Sequence, residues 1–316
     1  MALTRDEANS VSSNFFDKTL TQQVYEKSPF YSRLKQRNNV RTSGGNNIQF
    51  AIRYQTLGLA EAVDPRQQIT YEQKETRTSG ILAWKYIVGK NMISWDERVQ
   101  NTGKAQIIDL IRDKTEEMQQ DMLNKFNTDL YATTQADNSF SSLDTIIDTG
   151  TTYADIAVAD AAEWAAAAED TSETRLHLWG SATSVSKRIN DATFGPNFPD
   201  LLVTTRDLFS KFESLADPQR VYRDNNMADM GFEAIKFGRS SVVGDYACTA
   251  NRLYGIDTSV FELRYHPNFN FTTEPWDDLK QAGFPHALIK ISSWAGNLCC
   301  KMRKTNFKYT ALDYTV

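Results

Sequence analysis

The chain has 316 residues, 41% of them hydrophobic and 24% charged, which excludes the disordered, collagenous and coiled-coil extremes and allows a substantial core in one large domain or two interlocked ones. A formal net charge of -5, with a pI near 5.4, leaves no global basic field to draw nucleic acid or an anionic membrane. No stretch approaches the roughly 18 apolar residues of a spanning helix, the opening MALTRDEANSVSSNFF lacks a basic region followed by an apolar run, and an odd count of three cysteines (Cys248 and the vicinal Cys299 and Cys300) argues against a disulfide framework and for a reducing compartment.

Residues 1–40 are polar with scattered hydrophobes, Phe15, Phe16, Leu20, Val24, Tyr25, Phe30, Tyr31 and Leu34. This pattern predicts short helical turns around Pro29, an arm that needs another surface to lie on. From Arg41 to Met92 the reading is β-rich. Gly44-Gly45, read as a hinge, and Asn46-Asn47 precede the alternating run Ile48, Phe50, Ile52, Tyr54, and a second run spans Ile81 to Val88. Together they predict a long two-stranded excursion whose tip, Gly58 to Thr70 with Asp64-Pro65, carries turn chemistry and little that could pack inward.

From about Ser94 to Tyr131 the period becomes helical, with Ile107, Ile108, Ile111, Met118, Met122, Phe126 and Leu130 mostly at three- and four-residue steps. This is the longest predicted helix; Ser94 and Glu97 make a capping-box pattern at its start, and Gly103 is a point of interruption. Its other face carries Asp109, Asp113, Glu116, Glu117, Asp121 and Asp129, partly offset by Arg112, Lys114 and Lys125, and reads as a solvated amphipathic face. Residues 136–170 give no clear element. Asp200 to Thr205 then reads as a buried strand leading into a helix, Asp207 to Leu215, capped by Thr204 or Thr205. Short strands are predicted at Ile235–Phe237, Ser241–Val243, Arg252–Ile256 and Ala287–Ile291, so the class is α+β.

Catalytic patterns are scarce. The three histidines, His177, His266 and His286, have no ligand spacing and read as surface or interface residues. Cys299-Cys300 lacks the CxxC spacing of zinc or redox sites; adjacent strand residues would send one thiol inward and one outward, in a packing role. GxxxxGK[ST], GxGxxG and GxSxG are absent. The basic cluster Lys301, Arg303, Lys304 and Lys308, interleaved with Phe307 and Tyr309, reads as an interface or solvated face, with a small nucleic-acid patch as the alternative. These readings assign no catalytic, metal or cofactor-binding residue.

Four segments, PDLLVTTRDLFSKFESLADPQRVY, MADMGFEAIKFGRSSVVGDYAC, LYGIDTSVFELRYHPNFNFTTEPW and WAGNLCCKMRK, resemble in order and spacing the C-terminal half of a major capsid protein family of tailed bacteriophages. FFDKTLTQQVYEKSPFYSRLKQR is similar to that family's N-terminal arm, and NNIQFAIRYQTLGLAEAVDP to its extended loop. The resemblance covers nearly the whole chain. It implies the Hong Kong 97 (HK97)-type fold: an N-terminal arm at 1–40, an extended β-hairpin loop (E-loop) at 41–92, a spine helix of the peripheral domain at 93–139, an axial domain at 140–262, and returning peripheral strands with the C-terminus at 263–316.

The implied function is a non-enzymatic shell subunit that assembles through pentamers and hexamers into an icosahedral head around double-stranded DNA. Its implied partners are its own copies, a portal protein, a separate scaffolding protein, a decoration protein and, by weak non-specific contact, the packaged DNA, with no membrane and no cofactor. It would reside in the virion after assembly in the host cytoplasm. An encapsulin-like nanocompartment shell and, from another class, an enzyme or binding module are the competing readings. Expected interface residues are Phe15, Phe16, Tyr25, Phe30 and Tyr31 as anchors of the arm, and Arg53, Glu61, Asp64, Arg66 and Lys74 on the loop as partners for neighbouring charges.

Overall fold

The computed structural model describes residues 28–53, 57–100, 104–216, 221–223, 227, 232–279 and 286–315. In chain order the elements are α1 (Pro29–Gln36), β1 (Val40–Thr42), β2 (Ile48–Arg53), β3 (Arg77–Leu82), β4 (Lys85–Ile93), α2 (Trp95–Gln100), α3 (Lys104–Leu130), α4 (Leu143–Ile146), β5 (Ala168–Asp170), α5 (Val185–Asp191), β6 (Leu201–Thr204), α6 (Arg206–Leu215), β7 (Val221–Arg223), β8 (Ala234–Phe237), β9 (Ser240–Gly244), β10 (Leu253–Ile256), β11 (Phe261–Tyr265), β12 (Thr272–Thr273), β13 (Asp277–Asp278), β14 (Leu288–Cys300) and β15 (Phe307–Tyr309). The arrangement is α+β, as the alternation of period-two and helical segments predicts.

One sheet is organised around β14. Along one edge β14 pairs antiparallel with β4 from Leu288↔Ile93 to Gly296↔Lys85, and along the other it meets β13, β12 and β11 in succession, with β1 parallel on the outside of β11. Helix α3 lies across β4, close enough that a Cβ on Gly89 would stand 2.5 Å from Cγ of Met122. Phe126 of α3 stacks on Phe140 at 5.0 Å between ring centres and meets Trp294 of β14 edge-on at 5.5 Å, which ties helix and sheet into one core. The predicted strand at Ala287–Ile291 is thus the start of a strand of 13 residues. Its burial alternates from Leu288 to Ser293, then becomes continuous to Cys300, so period-two patterning is lost where both faces are covered.

The second sheet has seven strands in the order β5-β15-β10-β6-β9-β8-β7. Strand β6 is buried throughout and delivers the chain to α6, whose start is capped by Thr205: its hydroxyl oxygen accepts from the Leu208 N–H at 3.3 Å. Leu208, Phe209 and Phe212 form the buried stripe of α6, and Phe212 meets Phe237 of β8 edge-on at 5.3 Å. Strand β15 inserts between β5 and β10, so part of the expected 263–316 peripheral segment belongs to this second sheet.

The capping box forms as predicted. The Ser94 N–H donates to Glu97 Oε2 at 3.0 Å while the Glu97 N–H donates to Ser94 Oγ at 3.3 Å. The long helical pattern is divided into α2 and α3, with Gly103 outside the described residues. The β-rich run Ile81 to Val88 is divided between β3 and β4, which belong to different sheets, because the chain turns at Ala83-Trp84. The Ala83 carbonyl accepts from Asn297 Nδ2 at 3.0 Å and Trp84 Nε1 donates to the Gly45 carbonyl at 2.9 Å. The predicted excursion is also shorter than expected as a free hairpin. Strands β2 and β3 pair from Ile48↔Leu82 to Arg53↔Arg77, but Ile48, Phe50, Ile52 and Leu82 are buried in the chain's own core.

Candidate assembly surfaces

Residues 57–76 project beyond the paired part of the hairpin and are exposed almost throughout. Their shape at the tip is set locally: the Gln67 N–H donates to the Asp64 carbonyl at 2.9 Å and the Arg66 N–H to the Asp64 carboxylate at 3.1 Å, with Pro65 supplying a fixed φ. Leu57, Leu59, Val63, Ile69 and Tyr71 are all exposed, Tyr71 at 92% of its surface. Among the described residues nothing apolar covers this loop, a cost that a second surface would remove.

The expected interface residues divide. Arg53, Glu61, Asp64, Arg66 and Lys74 are exposed on the hairpin and loop, with Asp64 engaged in shaping its own turn. Phe15, Phe16 and Tyr25 lie outside the described residues. Phe30 and Tyr31, expected as arm anchors, are instead 2% and 3% exposed. Phe30 packs edge-on against Phe261 and Tyr31 against Phe126, because α1 seats one face in the core. Arg33 and Arg37 on its other side reach the buried carboxylate of Asp200 at 3.2 and 3.1 Å.

A further surface was not singled out in the sequence. On β4, Ile87, Gly89 and Ile93 face inward while Tyr86, Val88, Lys90 and Met92 are exposed. Ile289 and Ile291 of β14, cross-strand partners of Met92 and Lys90, are half-buried beside them. Apolar side chains stand in both phases of YIVGKNMI, so the residues alone do not say which phase α3 covers and which is left outward.

The acidic face of α3 is thinner than its sequence suggests. Arg112 pairs with Glu116 at 2.9 Å, Lys125 with a buried Asp129 at 2.7 Å, and Lys114 with Glu97 at 3.3 Å. Glu116, Glu117 and Asp121 remain exposed, and neither Glu117 nor Asp121 has a salt-bridge partner among the described residues.

Of the four residues in the basic C-terminal cluster Lys301 is exposed, Lys304 is half-buried and the other two are internal, so the cluster does not form one continuous solvated face. Arg303 and Lys308 are each 1% exposed. The Arg303 guanidinium donates to the carbonyls of Ile146, Asp148 and Thr151, and Lys308 Nζ stands 3.0 Å from Glu169, 3.2 Å from Asp148 and 3.5 Å from Asp144. Lys301 caps Glu262 at 2.5 Å, and the Lys304 ammonium lies over the Phe194 ring at 4.9 Å.

Chemistry of other kinds has little to work with. Both Cys299 and Cys300 are buried, a departure from the expected in-and-out pair, because β14 is covered on both faces there; burial pushes both thiols up to about 12. His266 packs on Trp84 and His286 on Trp95, with ring centres 5.8 and 4.7 Å apart. A cavity of about 320 Å³ beside α5 and the β8–β9 turn has Arg239 as its ionisable lining group, next to Ile189, Phe198 and Phe237, and brings no nucleophile to a base. Among the described residues no group of three or more His, Cys, Asp and Glu could hold a metal ion, and no helix is long and apolar enough to cross a membrane.

No family model and no curated protein matches this sequence. The fold, however, is found in solved phage and GTA particles. A chain of the cyanophage A-1(L) capsid asymmetric unit superposes with a TM-score of 0.61 at 14% identity, covering 87% of this chain and 90% of that one. A chain from Mycobacterium phage Bobi gives a TM-score of 0.56 at 10% identity and covers 99% of both. A chain from the capsid of a native GTA particle gives 0.58 at 7% identity, covering 90% and 91%. The chain therefore has the capsid fold of these particles, the HK97-type fold that its resemblance implied, across nearly its full length.

Proposed function

We propose that this chain is the major capsid protein of a tailed bacteriophage, a structural subunit that assembles through pentamers and hexamers into the icosahedral head enclosing double-stranded DNA. The observation that carries this is a capsid fold bearing two apolar surfaces that the described residues leave uncovered, the loop at 57–76 and the outer face of β4, which copies of the chain can cover for each other. In this reading the segment at 41–92 is the extended loop and α3 within 93–139 is the spine helix of the peripheral domain. Residues 140–262 form the axial domain, to which we add β15 because it pairs with β10. The segment from 263 otherwise returns to the peripheral sheet, and the arm proper ends before Pro29. A portal protein, a separate scaffolding protein and a decoration protein complete the set of partners, with assembly in the host cytoplasm and residence in the virion. The exposed acids of α3 face the packaged DNA and bind it weakly.

Electron microscopy of the purified chain, with light scattering for mass and with scaffold supplied in trans, tests the assignment. Rings of five or six subunits, tubes or closed shells are the expected products. A chain that stays monomeric under all these conditions would overturn it.

A further inference from the structure

The cleft beside α5 lies at a corner of the second sheet where two positive charges stand without carboxylates. Ile189, Phe198 and Phe237 give it an apolar lining, and Ser186, Asn190 and Arg239 add polar groups. Arg239 belongs to the two-residue turn that joins Phe237 to Ser240, where Gly238 takes a φ of +61°. The Ser240 hydroxyl donates to the Pro199 carbonyl at 2.5 Å, which holds this turn to the segment that carries Phe198. The Arg239 guanidinium lies 5.7 Å from the centre of the Phe198 ring. Next in sequence to Thr193 of the lining, Phe194 begins a tight turn closed by reciprocal backbone hydrogen bonds with Asn197 at 2.9 and 3.2 Å. The Phe194 ring is exposed and carries the Lys304 ammonium at 4.9 Å. Among the described residues neither Arg239 nor Lys304 has a salt-bridge partner, whereas the cations of α5 are paired, Lys187 with Asp191 and Arg188 with Asp170.

We propose that this cleft binds an acidic segment of a partner protein, which sets an apolar side chain against Ile189, Phe198 and Phe237 and places carboxylates on Arg239 and Lys304. The carboxylates follow from charge: in a chain of net charge -5, two cations at one corner are left uncompensated. The apolar anchor follows from size. A volume of about 320 Å³ is at the small end of ligand clefts and suits one aromatic or branched side chain, and the surface continues past it to Phe194, so a chain segment fits better than a compact ligand. Nucleic acid fits less well, because one face of each ring already carries its cation and two cations neutralise few phosphates. The turn and the Ser240–Pro199 bond preset the corner, so little ordering is lost on binding. The site lies within one chain and is independent of the shell reading.

Binding of labelled, capped peptides to the full chain, read by fluorescence anisotropy, tests this chemistry. The probe is Asp-Glu-Phe-Glu-Asp, with Asn-Gln-Phe-Gln-Asn as its uncharged counterpart and Asp-Glu-Ala-Glu-Asp as the counterpart without an anchor. The probe should bind about tenfold more tightly than either counterpart, and less tightly as salt is raised. Arg239→Gln and Lys304→Gln should each weaken it about fivefold. Ser186→Phe keeps both charges but fills the cleft, and should weaken it by a similar factor. An unchanged denaturant midpoint checks that each variant is folded. Equal affinity for the charged and uncharged peptides, or variants that bind the probe as the unmodified chain does, would overturn the proposal. So would tighter, Arg239-dependent binding of a labelled oligothymidine, which would make the corner a nucleic-acid site. A concentration-dependent dimer in light scattering that Arg239→Gln abolishes would equally overturn it, by making a second copy the occupant.

Discussion

Lys308 is buried among three carboxylates contributed by two separate segments, Asp144 and Asp148 on one and Glu169 on the other. The cost of desolvating an ammonium is offset only while those partners remain. Lys308→Met keeps the stem and removes the charge, so Asp144, Asp148 and Glu169 lose their common cation. The expected loss is about 3–5 kcal/mol of unfolding free energy, measured as a lower denaturant midpoint with little change in slope; a loss within 0.5 kcal/mol, roughly the scatter of surface substitutions, would contradict this role. Glu262 makes a second prediction. Burial raises its carboxyl, but hydrogen bonds from Lys301 and Arg264, with the charges of both, outweigh burial and hold it below the ordinary range. A carboxylate with a depressed folded value stabilises the fold above its unfolded pKa of about 4.3 and loses that contribution as pH falls through the folded value. Glu262→Gln should therefore cost about 2 kcal/mol near neutrality and progressively less below about pH 4. Unfolding curves at several pH values test this, and a deficit that grows in acid would reverse the sign. Neither role was visible beforehand, because Lys301, Arg303, Lys304 and Lys308 in a row look like surface charge until the sheet places β15 inside.

At the scale of elements, legibility followed periodicity. The helical face Ile111, Met118, Met122, Phe126, Leu130 marked α3, the capping box marked the start of α2, and Thr205 marked α6. Strand β14 was read short, because Trp294 to Cys300 is buried on both faces and shows no alternation. The turn between β3 and β4 was invisible for a related reason, since Ile81 to Val88 reads as one apolar run whichever sheet each half joins. Helix α3 also carries the element-level prediction. If its exposed acids line the interior of a shell, reversing Glu116, Glu117 and Asp121 to lysine turns a weakly repelling surface into one that holds phosphates. Virions of that variant should package more slowly or retain nucleic acid in assembly intermediates, readable as packaged DNA per particle over time. Unchanged packaging would show that this face does not meet DNA.

At the scale of the molecule, the fold class, the long helix and the loop could be read from residue order, and the candidate surfaces only in part. The charged loop positions were legible because turn chemistry and exposure go together at Asp64-Pro65-Arg66. The outer face of β4 was not, since which of two apolar phases meets α3 depends on pairing with a strand about 200 residues further on. That same pairing has a consequence for how the protein comes into being. Until β14 has been synthesised, β4 has neither its sheet partner nor the scaffold that seats α3, and the Met118 and Met122 side of the helix has nothing complete to close against. The first sheet therefore waits on the ribosome for its central strand. The apolar residues of β4 and α3 remain open during that interval, and pairing over so long a sequence separation predicts slow refolding of this sheet, measurable as a late phase in Trp294 fluorescence after dilution from denaturant.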